Sequence, residues 1–363
     1  MKLLQISLSC LFYLGCTIVH AIIVLQFVEF IFLLLLLTVT APHSKNYMFL
    51  LFLLELSFLQ FVIAFIVVND EMYDWYDFAL SEDATIISVV VKNGPIFVSN
   101  DEGFTWSRSE NEGWKNWQSI TSSSDGKNLT AVEMSGYIYT SIDGVALWTT
   151  HDDYSNWKCV ASSADGSILF AGAERMYVSK DGGNTWQDET GVWDFLCCAC
   201  SYDGMRAIAG TLFGDICLSD DAFDHEDCRG LDVIKYKEWT EMVMSANGSV
   251  IVGSFQDVYK SEDYGYTWTL LDLPNSHWAS LAISSDGTKI VAAEKSGYVW
   301  ISEDGGKVFN RMLSLDYRNW GSVAISSDGT FLLAAVQNGY IYADFNCSTD
   351  HYMSSSGCAA CAA

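Results

Sequence analysis

The chain has 363 residues, half of them apolar, only 3 Pro, and a formal net charge of −26 from 45 Asp+Glu against 19 Lys+Arg. That length allows two average domains or one large repeat domain, and the composition excludes a disordered chain. So acidic a surface cannot neutralise phosphates, which argues against nucleic acid and anionic lipid faces as partners.

The N-terminus is a different material from the rest. From Leu3 to Thr40 the only formal charge is Glu29, and residues 48–68 carry only Glu55. A bilayer core takes about 20 helical residues, so 48–68 fits one span. The first stretch divides near "VHA" (19–21), which resembles a signal-peptidase site after a Lys2 n-region and a short apolar segment. Cleavage there leaves a span at about 22–40; without cleavage there is one span more. Either way residues 4–68 are expected to be the membrane contact, with Lys45 on the cytoplasmic side and the remaining chain facing the extracellular or lumenal side. A single crossing by the first stretch would turn the chain to the cytosol instead. The alternative for "FVIAFIVV" (61–68) is a buried strand. The expected division is a hydrophobic region at 1–70 and a folded domain at 71–363.

Beyond Asp70 the chain repeats itself. A ten-residue frame runs "WYDFALSEDA" from Trp75, "WQSITSSSDG" from Trp117, "WKCVASSADG" from Trp157 and "FLCCACSYDG" from Phe195. It continues as "WTEMVMSANG" from Trp239, "WASLAISSDG" from Trp278 and "WGSVAISSDG" from Trp320. The starts lie 42, 40, 38, 44, 39 and 42 residues apart, and one column is serine throughout: Ser81, Ser123, Ser163, Ser201, Ser245, Ser284 and Ser326. A period near forty means a solenoid or a propeller. In the sixth unit "SLAIS", an Asp-Gly turn, "KIVAA", a glycine turn and "YVWIS" read as consecutive strands, and Asp-Gly favours the positive φ of tight hairpins. Four short strands per forty residues make a propeller blade, where helical repeats would show a 3.6-residue period. The expected fold is therefore all-β, a seven-bladed β-propeller, preceded by N-terminal hydrophobic helices. No Trp-Asp dipeptide recurs at unit ends, so the WD40 signature does not fit.

A second motif follows the third strand of most units. It reads "SNDEGFTW" (99–106), "SKDGGNTW" (179–186), "SEDYGYTW" (261–268) and "SEDGGKVF" (302–309). The octet at 141–148 keeps Asp143 and Trp148, with Val145 in place of the glycine; "SDDAFDHE" (219–226) keeps only Ser219 and Asp221. The pattern resembles the Asp-box of sialidase-type, or BNR-repeat, propellers. Its chemistry is that of a turn: the carboxylate accepts backbone N–H groups, Gly supplies positive φ, and Trp folds back between sheets. Ser99, Asp101, Gly103 and Trp106 have these roles in the first octet, as do Ser179, Asp181, Gly183 and Trp186 in the third. Ser261, Asp263, Gly265 and Trp268 repeat them, and Ser302, Asp304 and Gly306 do so in the sixth unit.

Sialidases, which the fold resembles, use an arginine triad, a Tyr–Glu pair, an acidic proton donor and an Arg-Ile-Pro motif. The domain has six arginines (Arg108, Arg175, Arg206, Arg229, Arg311, Arg318), scattered, and no Arg-Ile-Pro. A glycosidase of another kind needs two carboxylates across a cleft. Two residues after each frame start, the column reads Asp77, Ser119, Cys159, Cys197, Glu241, Ser280 and Ser322. Its only acids, Asp77 and Glu241, are expected to be solvated groups lining a central channel. The acidic run "SDDAFDHED" (219–227) lacks the alternating spacing of a calcium loop, and no cofactor or metal motif is present.

The overall pattern of seven units, octets and "SSDG" turns is similar to the photosystem II stability/assembly factor-like propellers, over about 290 residues. That resemblance implies a binder of assembling membrane-protein complexes. The sequence reading is a membrane-anchored, non-catalytic module for a protein or glycan ligand. A sialidase-like glycoside hydrolase and a photosystem II assembly factor-like protein are the alternatives. Cys217 and Cys228 flank the degenerate fourth octet and face each other if its turn is symmetric about 222–223, which predicts a disulfide and an oxidising compartment. Three N-x-S/T sequons, at Asn128, Asn247 and Asn346, point the same way. The alternative is a reduced pair of small packing residues.

Overall fold

The computed structural model describes residues 66–360 except 110–112, 145–146, 189, 225–226, 231–237, 313–314, 346–350 and 355–356. They belong to a compact unit spanning Ala64–Ala363. Residues 1–65, which carry the sequence-predicted signal and spans, lie outside the described residues. Among the described ones no helix is long and apolar enough to cross a membrane. The first strand begins at Ile66, inside the apolar stretch 48–68.

The fold is all-β and antiparallel. In the sixth repeat the strands Trp278–Ile283, Ile290–Glu294, Val299–Ser302 and Asn310–Arg311 pair in chain order. The third, fourth and fifth repeats each form a sheet of the same order. The second strand of each is almost continuously buried, as in Ala207–Thr211 and Ile290–Glu294, because sheets cover both of its faces. Small residues are required where second strands face the frame residues of the first strands. A Cβ on Gly210 would sit 2.7 Å from the Trp239 Cβ, and one on Gly172 would sit 2.6 Å from the Cys159 Sγ.

Closure of the chain on itself depends on one long strand, Ile66–Leu80. Its first part pairs with the Phe331–Phe345 strand of the last repeat, from Ile66 opposite Ala343 to Asp74 opposite Gln337. Its second part pairs with Ile87–Gly94 of the first repeat, from Trp75 opposite Val91 to Leu80 opposite Ile87. One strand is thus the outer strand of the last sheet and the inner strand of the first. The inner strands touch in repeat order, and Trp320–Ile325 of the seventh returns to Ile66–Leu80.

Between the sheets lie separate apolar clusters, each built on a frame tryptophan or on Phe195. The tryptophans also tie repeats together. The indole N–H of Trp75 donates to Gly339 O (2.8 Å), that of Trp117 to Gly94 O (3.1 Å) and that of Trp157 to Gly136 O (3.2 Å). Trp278 reaches Gln256 O and Trp320 reaches Gly297 O, both at 3.2 Å. Gln256 and Gly297 lie in the turn after the second strand of the preceding repeat, Gly94 ends that strand, and Gly136 and Gly339 lie within the long strands Leu129–Ser141 and Phe331–Phe345.

Candidate functional site

At the opposite ends of the inner strands lie the Asp-Gly turns, and here the invariant serine has one job. Its hydroxyl donates to the turn carboxylate and accepts the N–H five residues on. Ser284 Oγ is 2.6 Å from Asp286 Oδ1 and 2.9 Å from the Lys289 N; Ser81, Ser163 and Ser201 repeat both bonds. In the fifth repeat Asn247 replaces the aspartate, and its Oδ1 accepts from Ser245 Oγ at 3.0 Å. The next residue links neighbouring repeats through backbone alone. Glu82 N donates to Ser124 O, Ser124 N to Ala164 O, and Ala164 N to Tyr202 O, at 2.6–2.8 Å. Tyr202 N then donates to Ala246 O, Ala246 N to Ser285 O, and Ser285 N to Ser327 O, at 2.7–2.9 Å. Across this face the Tyr202 hydroxyl of the fourth repeat donates to Glu82 Oε2 of the first, at 2.8 Å.

The octets sit beside these turns and are bonded to them: Glu102 N donates to Thr85 O, Gly182 N to Ser167 O, and Gly305 N to Thr288 O. Within the 179–186 octet, Ser179 Oγ donates to Asp181 Oδ1 (2.8 Å) and accepts Gly183 N (2.8 Å), while Asp181 accepts Thr185 N (2.9 Å) and Thr185 Oγ1 (2.7 Å). The Thr185 N–H foremost, then the Thr185 and Ser179 hydroxyls, hold the Asp181 carboxyl below its usual range against some desolvation. Ser99–Asp101 and Ser261–Asp263 build the same turn, and Ser302–Asp304 builds it with Val308 N in place of the threonine. Gly103, Gly183, Gly265 and Gly306 all have φ near +90°. Trp106, Trp148, Trp186 and Trp268 pack on the clusters between sheets. In the octet at 141–148, Ser141 Oγ donates to Asp143 Oδ1 and Asp143 accepts Leu147 N.

The fourth octet holds a residue that sequence reasoning missed. Phe223 stands where four of the other octets have Gly103, Gly183, Gly265 and Gly306, with φ 65°, and its N–H donates to Ser219 Oγ at 2.7 Å. Its ring is buried 5.8 Å from that of Phe170, in the space that the tryptophans fill elsewhere. Positive φ is costly for a bulky side chain, so the buried ring sustains the turn. The only signal in the sequence was an aromatic residue three positions early. Beyond this turn Cys217 and Cys228 are joined by a disulfide, directly opposite one another in the Asp215–Ser219 and Asp227–Gly230 strand pair.

The inner strands surround a central cavity of about 860 Å³. Asp77 and Glu241 line it, but not as freely solvated carboxylates. Asp77 Oδ2 accepts Ile120 N of the next inner strand at 2.9 Å, and Oδ1 accepts Phe78 N at 2.9 Å. Glu241 accepts Leu281 N of the sixth repeat and the Ser280 hydroxyl. The serines of the same column do the same work: Ser119 Oγ accepts Val160 N (3.3 Å) and Ser280 Oγ accepts Val323 N (3.1 Å). The physical cause is that each innermost strand is a sheet edge, with N–H groups that its own sheet leaves unpaired. Burial pushes the Asp77 carboxyl up to about 6 against these hydrogen bonds; burial, then the charge of Asp77, also raises Glu241.

Two slots of this column carry sulfur instead. Cys159 and Cys197 are buried free thiols, with Cys198 and Cys200 nearby on the cavity wall. Burial drives Cys197 far above its ordinary value and Cys200 to about 12, so neither is a thiolate nucleophile. The five arginines whose side chains are described do not converge. Arg108, Arg206, Arg311 and Arg318 lie against Trp114, Tyr264, Tyr298 and Tyr342, and Arg175 pairs with Asp188 at 3.2 Å. Among the described residues none that lines the cavity is arginine; the cations there are Lys92, Lys158 and Lys295. Among the described residues no cluster of three or more His, Cys, Asp or Glu has the arrangement of a metal site.

No family model and no curated protein matches the sequence. The fold is similar to solved structures. YCF48 from Cyanidioschyzon merolae superposes with a TM-score of 0.62 at 13% identity, over 78% of this chain and 98% of that one. YCF48 bound to D1 peptide gives 0.60 at 14% identity, over 77% and 96%. The GH74 enzyme of Niastella koreensis gives 0.65 at 14% identity, over 79% of this chain and 54% of the enzyme. These likenesses show the fold: the described domain is a β-propeller, resembling both photosystem II assembly-factor and glycoside-hydrolase propellers.

Proposed function

We propose that the protein is a non-catalytic binding module built on a seven-bladed propeller, anchored to a membrane through residues 4–68, with a protein as its partner. The observation that carries this reading is the use of Asp77 and Glu241. Both carboxylates hold the neighbouring inner strand by its backbone N–H, so the pair placed best for glycoside chemistry is occupied in building the ring. The octets are read as Asp-box-type turns that stabilise the blades and leave ligand contact to the cavity and its rim. A protein partner is favoured over a glycan by the likeness to YCF48, a fold that has been seen with a D1 peptide. The Cys217–Cys228 disulfide supports an extracellular or lumenal placement. Of the sequons, Asn128 has its side-chain amide bonded to Asp165 O at 3.2 Å, and Asn247 uses its oxygen within its own turn.

The test is to incubate the purified full chain with fluorogenic sialosides and aryl glucosides, and in parallel to cross-link it in its native membranes. The expected result is no turnover and a covalent adduct with a membrane-protein subunit. Turnover abolished by Asp77→Asn or Glu241→Gln, in variants that keep the wild-type melting temperature, would replace this reading with the glycosidase.

A further inference from the structure

The cavity is built differently at its two ends. One end carries the ring of Asp-Gly turns and is crossed by the Tyr202–Glu82 hydrogen bond. The other end, where the frame indoles meet the turns of the preceding repeats, carries the lysines. Lys92 lies near the end of the second strand of the first repeat, Ile87–Gly94, beside Asn93, which has φ 52°. Lys295 follows the second strand of the sixth repeat, and Lys158 directly follows Trp157 in the third. All three line the one cavity, from three separate sheets. Lys92 Nζ lies 5.2 Å from the centroid of the Tyr76 ring, itself part of the lining, so this ammonium is directed inward.

None of the three has a carboxylate partner among the described residues. This sets them apart from Lys115, Lys127, Lys180, Lys260 and Lys289, all of which lie within 4 Å of an acid. Of the three carboxylates among the described lining residues, Asp77 and Glu241 are turned to backbone N–H groups, which leaves Glu238. In a chain of net charge −26, three unpaired cations around one opening run against the overall composition. A cavity of this volume falls within the range of sites that enclose a ligand rather than a flat contact.

We infer that this lysine-lined mouth is the ligand-contacting end of the molecule and that it takes an acidic peptide segment, with several carboxylates spaced along one chain. Three cations presented from separate sheets match charges distributed along an extended segment better than one compact anion. The inference rests on the binding-module reading above and specifies the chemistry of the partner.

The experiment uses the full chain in non-ionic detergent and a fluorescein-labelled hexaglutamate peptide, followed by fluorescence anisotropy. Saturable binding is expected, weakening with salt and not displaced by hexalysine. The combined variant Lys92→Gln, Lys158→Gln, Lys295→Gln should lose affinity by about tenfold or more. Lys127→Gln and Lys307→Gln, at the opposite end, should leave it unchanged. A second readout needs no variant: hexaglutamate should protect Lys92, Lys158 and Lys295 of the wild type from acetylation by an N-hydroxysuccinimide ester, read by mass spectrometry. Absence of saturable binding, an unchanged triple variant, or protection confined to Lys127 and Lys307 would each overturn the inference. A native partner still cross-linked by the triple variant would leave the binding-module reading standing and remove only this one.

Discussion

The seam between the sixth and seventh repeats and the seam between the fourth and fifth are built on one plan with different parts. At the first, Trp320 donates to Gly297 O, Ser280 Oγ accepts Val323 N, and Ser285 N donates to Ser327 O. At the second, the Trp239 indole N–H is buried with no hydrogen-bond partner among the described residues. The slot that holds Ser280 at one seam holds Cys197 at the other, and a thiol is a weak acceptor. Only the backbone bond from Tyr202 N to Ala246 O is common to both. Aromatic packing compensates: the Trp239 ring lies 5.5 Å from both Phe255 and Trp268. The difference teaches that the turn link survives sequence drift because it uses main chain, whereas the two side-chain links depend on a single residue each.

The sharpest way to break that comparison is to remove the same group from both seams. Trp320→Phe removes one of two donors to Gly297 O, the Arg318 N–H remaining, and deletes buried ring volume, at a cost of about 2–3 kcal/mol. Trp239→Phe deletes an N–H that was already unpartnered, and should cost about 1 kcal/mol less. Urea denaturation monitored by circular dichroism compares them; equal costs would mean that the indole bonds contribute nothing to the seams.

The acids give a second contrast, between carboxylates that staple seams and those that close octets. Asp77 is raised to about 6 and Glu241 is raised as well, so the folded state binds protons more readily than the unfolded chain at these sites. Stability therefore rises as pH falls from 7 towards 5, on the order of 1 kcal/mol for Asp77. Asp181, Asp203 and Asp286 are held low, and the stability they contribute is present above the unfolded carboxylate range and lost as pH falls through their folded values. A maximum in melting temperature near pH 5 is expected. The Asp77→Asn, Glu241→Gln double variant should lose the rise between pH 7 and 5 and keep the fall below pH 4.

The smallest effect expected is a gain. Cys197→Ser puts a hydroxyl into the slot where Ser119 and Ser280 accept a neighbouring N–H, and should stabilise the fourth seam by about 0.5–1 kcal/mol. Hydrogen exchange at the Met242 amide reads it directly. Slower exchange supports the slot argument; unchanged exchange means that the serine does not reach.

The sequence alone determined the repeat and its strands, because a period near forty with Asp-Gly turns and alternating apolar runs leaves few architectures that bury every sheet. It also marked the invariant serine and the octet aspartates, whose partners lie within five residues in the chain and so follow from local turn chemistry. What joins one repeat to the next only the tertiary structure decided. Asp77 and Ile120 are 43 residues apart, and Trp75 and Gly339 are 264 apart. The column of Asp77, Ser119, Glu241 and Ser280 was visible as a list of polar residues, but nothing in their spacing says that each faces an unpaired N–H of the next sheet. Phe223 escaped notice because burial, which makes its positive φ tolerable, is a property of the neighbouring sheets. Lys92 and Lys295 share a repeat column, 17 residues after Trp75 and Trp278, and Lys158 directly follows Trp157; the three become a group only where their repeats open onto one cavity.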